Sequence, residues 1–247
     1  MGAYANVYLM CNDNTIRVVL TPKLKIELTK CIRQLPDNYK EISGKLNISY
    51  ITLWEYINKK SSISLSFFRN LLSVYKINLE PYFEYLESGS LKNKSRIIRK
   101  LDVNFAKILG AIAADGHLRK RITTFKSNKK ATHYELILRE EYFDNCLAFC
   151  KWLKDVFDID IRPIKRKNHY EVYVSNKTVF YQLKFFGVNL GRKGSIVRVL
   201  NIIKESKLNI KKSFLTGLFM FDGGVDYRNC YVSLTSISRD LIFDTLQ

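Results

Sequence analysis

The segment Ile108–Gly116 reads I-L-G-A-I-A-A-D-G, and its pattern recurs at Leu215–Gly223, which reads L-T-G-L-F-M-F-D-G. Each copy has a glycine in third place, then four residues suited to a helix, then Asp-Gly. The two aspartates, Asp115 and Asp222, lie 107 positions apart (222 − 115). The repeat predicts two similar helices that each end at an acidic residue.

The glycines of the two copies, Gly110 and Gly217, predict how these helices meet. A glycine inside a helix costs about 1 kcal/mol relative to alanine, so a repeated one needs a reason, and close approach of two backbones is such a reason. Both helices would then end together, where two carboxylates repel each other and face the negative ends of two helix dipoles. A divalent cation removes both problems, and Mg²⁺ needs few protein carboxylates because it keeps waters or takes phosphate oxygens. The pair therefore predicts a magnesium site suited to phosphodiester hydrolysis, whereas a single Asp-Gly would indicate only a helix-ending turn.

The charge of the chain indicates its partner. Lys and Arg number 41 against 23 Asp and Glu, a net charge of +18, and 47% of the residues are hydrophobic, which favours a folded, nucleic-acid-binding protein. No apolar run reaches the ~18 residues of a membrane span, and the first residues do not resemble a signal peptide. The five cysteines are an odd number without framework spacing, which suits a reducing compartment. Nucleic acid is therefore favoured over a membrane as the partner, and we expect a cytoplasmic, nucleoid-associated protein of a prokaryote or archaeon.

The N-terminal third predicts an all-helical domain over residues 23–88. This domain follows a lead-in of no assigned role (1–22), in which Val7–Met10 and Thr15–Leu20 are candidate short strands, and it precedes a basic linker (89–100). The stretch K-E-I-S-G-K-L-N-I-S-Y-I-T-L-W-E-Y-I-N-K-K at Lys40–Lys60 resembles a helix-turn-helix of the lambda-repressor/Cro type. In that family the helix after the turn enters the major groove. The resemblance implies that four residues face DNA, while an ordinary small helical domain stays open as the alternative. These four are Ser49, Tyr50, Thr52 and Tyr56.

The remainder predicts an α+β fold with an internal repeat. Residues 101–213 read as helix, hairpin, helix, hairpin, helix (αββαββα), with a further helix over Ser195–Glu205, and the second motif restarts the series in residues 214–247. The first unit spends 98 residues from Gly116 to Ser213, but only 24 follow Gly223 (247 − 223). The second unit is therefore incomplete, as a truncated copy or as one that a partner chain completes.

The paired motifs resemble those of the LAGLIDADG homing endonuclease family in its single-chain, two-motif form. The resemblance covers roughly Leu101 to the end, and N-L-G-R-K-G-S-I-V-R-V at Asn189–Val199 is similar to the stretch many members carry before their second motif. It implies that the motif helices form the central interface, that sheets straddle DNA, and that the motif aspartates bind Mg²⁺ or Mn²⁺.

Carried onto this sequence, the resemblance implies a metal role for Asp115 and Asp222 with the adjacent Ala114 and Phe221. It also implies a catalytic lysine, best matched by Lys193, and a polar residue after the second strand, Glu140. Basic strand residues would lie in the major groove: Arg119, Arg121, Lys126, Arg162, Lys165 and Lys167.

The function predicted is that of a site-specific double-strand DNA endonuclease, associated with an intron or intein. Two alternatives stay open on the same scaffold. One is a non-catalytic DNA-binding regulator, and the other is an RNA-binding intron-splicing maturase.

Overall fold

A computed structural model describes residues 15–88, 93–125, 127–191 and 194–246, and the chain divides after Ile97 into two units. The N-terminal unit contains a four-stranded antiparallel sheet of order β2-β1-β3-β4. Its strands are β1 (Ile16–Val19), β2 (Ser62–Ser64), β3 (Tyr85–Ser88) and β4 (Asn93–Arg96).

The prediction of an all-helical N-terminal domain is therefore wrong. Strand β1 comes from the lead-in, which was assigned no role, and β4 comes from the segment assigned as a linker. Residues 1–14 of the lead-in and residues 89–92 of the linker lie outside the described residues. Strand β1 lies within Thr15–Leu20, which the sequence indicated as a candidate short strand. Strands β2, β3 and β4 were missed, because strands of three or four residues carry too few alternating positions for a period of two to be recognised. In β1 the alternation is nonetheless clear in the structure, because Ile16 and Val18 are buried between more exposed neighbours.

Four helices complete this unit: α1 (Pro22–Arg33), α2 (Tyr39–Lys45), α3 (Tyr50–Asn58) and α4 (Leu65–Tyr75). The hydroxyl of Ser49 accepts the N–H of Thr52, and that of Ser64 accepts the N–H of Phe67. Each serine therefore caps the start of its helix.

The C-terminal unit alternates helices with pairs of strands. Its first seven elements are α5 (Val103–Ala114), β5 (Gly116–Thr124), β6 (Lys130–Glu140), α6 (Phe143–Phe157), β7 (Ile164–Lys165), β8 (Tyr170–Ser175) and α7 (Lys177–Phe185). The four strands form an antiparallel sheet of order β5-β6-β8-β7. Both units mix helix and sheet, so the α+β class predicted from the sequence is confirmed.

The last elements restart this order on a smaller scale. They are α8 (Asn201–Lys204), α9 (Leu208–Asp222), β9 (Gly223–Asp226), β10 (Tyr231–Leu234) and α10 (Arg239–Thr245), with β9 and β10 paired antiparallel. In the described ranges, no helix combines the length and the apolar character that crossing a membrane requires.

The helix predicted over Ser195–Glu205 is wrong in its first half. A single 3-10 turn (Gly194–Ile196) precedes α8, and the chain between them is held by hydrogen bonds to the C-terminal segment. The N–H of Val199 donates to Asp244 at 3.1 Å, and the hydroxyl of Ser238 donates to the carbonyl of Val197 at 2.5 Å. Tertiary hydrogen bonds thus outweigh a local helical preference that spans few residues.

The helices of the C-terminal unit pack on one face of its sheet. Leu118, Leu136, Leu138, Val172 and Val174 alternate along the strands and are all buried on this face. The other face, which we call the outer face, carries the residues between them, and most of these are charged or polar.

Candidate functional site

Helices α5 and α9 touch through their backbones at the two motif glycines. A Cβ atom on Gly110 would lie 2.8 Å from the nitrogen of Leu218 and 3.0 Å from the carbonyl carbon of Phe214. One on Gly217 would lie 2.8 Å from the carbonyl carbon of Lys107. Phe214 is the counterpart of Lys107, because the two lie 107 positions apart like the aspartates (214 − 107). Each helix therefore makes the same contact with the other, as two-fold related helices do.

The direction of α5 follows from its contacts with α6. The side-chain amide of Asn104 donates to the carboxylate of Asp155 at 3.3 Å, and the ammonium of Lys107 lies 5.6 Å from the centre of the Trp152 ring. Later residues of α5 meet earlier residues of α6, so the two helices run antiparallel. The C-terminal end of α5 therefore lies beside the start of α6.

Helix α9 ends beside the same part of α6. The side-chain amide of Asn145 donates to the carbonyl of Met220 at 3.0 Å, and the rings of Phe149 and Phe221 lie 6.2 Å apart. Since the last turn of α9 and the last turn of α5 both lie at the N-terminal half of α6, α5 and α9 run in the same direction.

The motif aspartates therefore lie at the same end of a parallel helix pair. Asp115 follows α5 directly and is exposed, and Asp222 is the last residue of α9 and is half-buried. Each lies five residues, or about 7.5 Å of helical rise, beyond the backbone contact. Neither side chain is enclosed in the apolar core, so an ion or a phosphate group has access to this end of the pair.

The glycine after each aspartate lets the chain turn straight from helix into strand. A Cβ on Gly116 would lie 2.5 Å from the Cα of Ile112, and one on Gly223 would lie 2.9 Å from the Cα of Phe219. Gly223 has φ −86° and ψ 150°, which is extended backbone. These glycines are required by close packing rather than by a left-handed turn.

The donor set at this end suits a hard, oxygen-preferring cation. The two carboxylates belong to the C-terminal ends of α5 and α9, where the helix dipoles are negative, and the half-buried Ala114 and Phe221 directly precede them. Across the described ranges, no group of three or more His, Cys, Asp or Glu residues could hold a metal. Two carboxylates completed by water or phosphate fit Mg²⁺ or Mn²⁺.

The two predicted accessory residues differ in what can be said of them. Glu140, the last residue of β6, is buried, and its carboxylate accepts the N–H of Tyr142 at 3.0 Å. This bond fixes the turn from β6 into α6, and the catalytic role of Glu140 stays a prediction. Lys193 lies outside the described residues.

Two predicted DNA-binding arginines lie together on the outer face. Arg119 donates through Nε to the carboxylate of Glu135 at 2.7 Å, and its Nη2 forms an ion pair with the same oxygen at 2.6 Å. Arg121 donates to this carboxylate at 3.3 Å. The phenol of Tyr173 donates to the same carboxylate at 2.8 Å. We call these four residues the Glu135 cluster. Burial acts to raise the pKa of Glu135, but the hydrogen bonds of Tyr173 and Arg119 outweigh it and hold that pKa below its ordinary value.

A second group of the same kind lies further along the sheet. Arg166 donates through Nε and Nη2 to the carboxylate of Glu171 at 3.2 and 2.7 Å, and Arg139 donates to it at 3.2 Å. We call these three residues the Glu171 cluster. Desolvation acts to raise the pKa of Glu171, and the hydrogen bonds of both arginines outweigh it and lower the pKa.

Sequence reasoning missed five members of these clusters as site residues: Glu135, Tyr173, Arg139, Arg166 and Glu171. The strand pattern contained the signal, because on β6 Glu135 and Arg139 alternate with Leu136 and Leu138. A glutamate centred between arginines on neighbouring strands was visible only once the register was known.

The prediction that Lys165 shares this face is wrong. Lys165 on β7 pairs with Tyr170 on β8, and Tyr170 pairs with Glu140 on β6. This row of paired residues is adjacent to the row that contains Arg139 and Glu171, which lies on the outer face. Side chains alternate across a strand, so Lys165 lies on the helix side, where its ammonium is 5.8 Å from the centre of the Tyr170 ring.

The other predicted basic residues lie beside the sheet. Arg162 is exposed before β7, and Lys167 is exposed in the turn between β7 and β8. Lys126 lies outside the described residues.

In the N-terminal unit, the segment predicted to bind DNA forms α2, a tight turn and α3. Asn47 in the turn has a positive φ of 52°, and Leu53 and Ile57 are buried. Tyr56 was expected to face outward, but its ring packs 4.8 Å from that of Phe67, so this expectation is corrected.

The outward surface of α3 is more apolar than predicted. The hydroxyls of Ser49 and Thr52 lie 2.8 Å apart and are engaged in the cap of the helix. Tyr50 is half exposed, and it shares the outward surface with Ile51 and Trp54, which sequence reasoning did not select. The sequence indicated this exposure for Ile51, because on a helix it lies on the side opposite Leu53 and Ile57.

The two-stranded sheet of the second repeat (residues 214–247) corresponds to the start of the four-stranded sheet, but its apolar residues are exposed. Leu118 pairs with Leu136, and each is 1% exposed. Val225 pairs with Val232 at the corresponding place after the second motif, and these are 56% and 63% exposed.

Comparisons with known proteins show similarity to a curated protein and to solved structures. No protein-family model matches the chain. The replication factor C small subunit of Methanocaldococcus jannaschii is 32% identical over 154 aligned residues, which cover 55% of this chain and 8% of that protein. The chain thus spans less than a tenth of that relative's length. Among solved structures, the crystal structure of the LAGLIDADG homing endonuclease I-LtrWI bound to target DNA is 12% identical, with a TM-score of 0.31, over 50% of this chain and 59% of the other.

Proposed function

We propose that this protein is a site-specific, metal-dependent endonuclease that hydrolyses both strands of duplex DNA. The observation that carries the proposal is the reciprocal glycine contact of α5 and α9. Gly110 and Gly217 make the same backbone contact from opposite sides, and the helices are parallel, so Asp115 and Asp222 arrive at one end of the pair. Two equivalent carboxylates suit a reaction repeated on two antiparallel strands, because DNA strands are themselves related by local two-fold symmetry.

In this proposal Asp115 and Asp222 hold Mg²⁺ or Mn²⁺, with the carbonyls of Ala114 and Phe221 beside them. When bound, the cation supplies an activated water and stabilises the leaving 3′ oxygen. The residues of the chain supply position: the rigid helix crossing fixes the two carboxylates, and the basic surface holds the phosphate backbone.

The outer face is the surface proposed to bind the duplex. It carries the four arginines of the two clusters, and the chain as a whole has a net charge of +18. Phosphate contacts would supply most of the affinity, and side chains on the strands would supply the choice of site.

A second function, that of a non-catalytic DNA-binding regulator, is favoured by one observation. The N-terminal unit contains its own α2-turn-α3 segment with a capped and partly exposed second helix, which supports the proposal of a helix-turn-helix there. A regulator would bind through such a segment without needing either motif aspartate.

We also propose that the second repeat (residues 214–247) is completed by further polypeptide, either more of the same chain or a partner chain. The exposed pair Val225 and Val232 supports this, since the corresponding pair in the first unit is buried beneath helices. The prediction of an intron- or intein-associated, nucleoid-located protein rests on the family resemblance alone.

The test is cleavage of a supercoiled plasmid library that carries a randomised insert, sequenced after incubation with Mg²⁺, Mn²⁺ or EDTA. We expect linear products at a restricted set of sequences with either metal and none with EDTA. Asp115→Asn and Asp222→Asn should each lower the cleavage rate at least 100-fold while binding in EDTA is retained. Removal of a metal-binding carboxylate has an effect of about this size, since metal contributes several kcal/mol of transition-state stabilisation.

Asp155→Asn is the matched control. This aspartate is exposed at the opposite end of the helix layer, and asparagine can still accept the hydrogen bond of Asn104. Duplex binding without cleavage by the wild type would support the regulator instead. Cleavage that persists in both motif variants would remove the aspartates from the mechanism.

A further inference from the structure

The outer face holds two buried carboxylates, each beneath two arginines. The side chain of Glu135 is 0% exposed, whereas the side chains of Arg119 and Arg121 are 40% and 49% exposed. The side chain of Glu171 is 10% exposed beneath the partly exposed Arg166 and Arg139. In each cluster the acid lies below and the guanidinium groups face outward.

One arginine in each cluster is held in the same way. Arg119 and Arg166 both use Nε and Nη2 toward their glutamate, so the carboxylate takes the side edge of the guanidinium. A guanidinium has five N–H donors in a fixed plane. The edge formed by Nη1 and the second hydrogen of Nη2 is directed away from that carboxylate and forms a two-donor fork.

Such a fork matches the major-groove edge of guanine, which presents two acceptors, O6 and N7. A phosphate contact would gain nothing from a buried anion, because the anion weakens the attraction to phosphate. A base contact gains from it, because the carboxylate fixes the plane of the guanidinium before DNA binds. The clusters are therefore better suited to reading bases than to gripping the backbone.

The spacing of the two clusters follows from the strand register. Glu135 pairs with Ser175 on β8, and Glu171 lies four residues before Ser175 on that strand. At a rise of about 3.4 Å per residue, the clusters are roughly 14 Å apart. Base pairs are stacked at about 3.4 Å, so this separation corresponds to roughly four base pairs.

We propose that Arg119 and Arg166 each read one guanine of the target, about four base pairs apart, and that Glu135 and Glu171 are positioning residues for them. This inference rests on the proposed binding of duplex DNA to the outer face. Arg121 and Arg139 complete the clusters as second donors to the carboxylates.

The test is selection of bound duplexes from a randomised library by the full-length protein in EDTA, followed by affinity measurements on the selected sequence. We expect two conserved guanines about four positions apart. Arg119→Lys should lower the preference at one guanine, and Arg166→Lys at the other, because lysine contacts guanine without the planar fork of arginine. Replacing the relevant guanine by 7-deazaguanine, which lacks the N7 acceptor but keeps O6, should weaken wild-type binding by less than the roughly 5- to 150-fold of a complete bidentate contact. The same replacement should weaken binding by Arg119→Lys to a smaller extent.

Glu135→Gln tests the positioning role. It should relax selection at the guanine read by Arg119 while affinity for unselected duplex is retained. Arg162→Lys is the control, because this exposed arginine lies outside both clusters and should affect all sequences alike. If Glu135→Gln fails to fold, the lysine variants and the modified base still decide the matter.

Two results would overturn the inference. One is an unchanged guanine preference in the lysine variants, and the other is an equal loss of affinity for all sequences. Either would leave the proposed duplex binding intact, whereas a wild type that binds no duplex would overturn both proposals.

Discussion

Substitution of Gly217 by alanine should destabilise the C-terminal unit by forcing α5 and α9 apart. The new Cβ would lie 2.8 Å from the carbonyl carbon and 2.9 Å from the Cα of Lys107, whereas an ordinary contact is 3.4–4 Å. The two backbones must therefore separate by at least several tenths of an ångström, and neither can rotate away as a side chain would. Overpacking of this kind costs about 3 kcal/mol at the upper end of its usual range, and the higher helix propensity of alanine returns about 1 kcal/mol. We expect a net loss of about 2 kcal/mol, which shifts the unfolding equilibrium roughly 30-fold.

The two tryptophans allow this loss to be assigned to one unit. Trp152 lies on α6 beside Lys107, and Trp54 lies on α3 in the N-terminal unit. In a Trp54→Phe background, the fluorescence of Trp152 during urea unfolding reports the C-terminal unit alone. The same background with Gly44→Ala is the matched control, because nothing lies within 4 Å of a Cβ at that helical glycine.

The control should leave the midpoint of the Trp152 transition unchanged, while Gly217→Ala lowers it without altering the slope. An unchanged or raised midpoint for Gly217→Ala would refute the reasoning. It would mean that the helices do not touch at the glycines and that the two aspartates are not held in register by that contact.

Two further predictions concern buried ionisable groups in the same unit. In a Cys11→Ser background, the exposed Cys230 should react with Ellman's reagent at pH 8 within seconds. Cys146 and Cys150 should stay protected until denaturant is added, because burial raises their pKa values to about 12 and 11. Rapid reaction of three thiols in the native protein would contradict this. Desolvation acts to raise the pKa of Asp244, but the ammonium of Lys204 outweighs it and lowers that pKa. The ionised carboxylate of Asp244 therefore contributes to stability above the unfolded pKa of about 3.9, and this contribution is lost as pH falls through the lower pKa of the folded state. Asp244→Ala should therefore lower stability by about 1–3 kcal/mol at pH 7, the range for an unmade buried hydrogen bond, and by less at pH 3, as measured by thermal unfolding at both pH values; an equal loss at the two pH values would rule out an ionic role.

The sequence was most informative where a pattern is long or repeated. The two copies of the glycine and aspartate motif predicted helices that end at Asp115 and Asp222, and the structure places both ends together. The failures lie where the deciding contacts are distant in sequence. Strand β2 has only three residues and pairs with the distant β1. The side of the sheet taken by Lys165 depends on a two-residue strand whose register is set by β8.

If the outer face binds DNA as proposed, its acidic residues explain why a count of basic residues alone does not locate the binding surface. Charge alone selects exposed cations such as Arg162 and Lys167, which are free to follow phosphate but carry no fixed direction. Glu135 lowers the net charge of its cluster and would be scored against DNA binding, yet it is the group that gives Arg119 a defined plane. Specific recognition depends on direction more than on charge, because every sequence offers the same phosphates and only the base edges differ. If Arg119 and Arg166 read bases as proposed, a buried carboxylate between two arginines is a better indicator of a reading surface than an additional lysine.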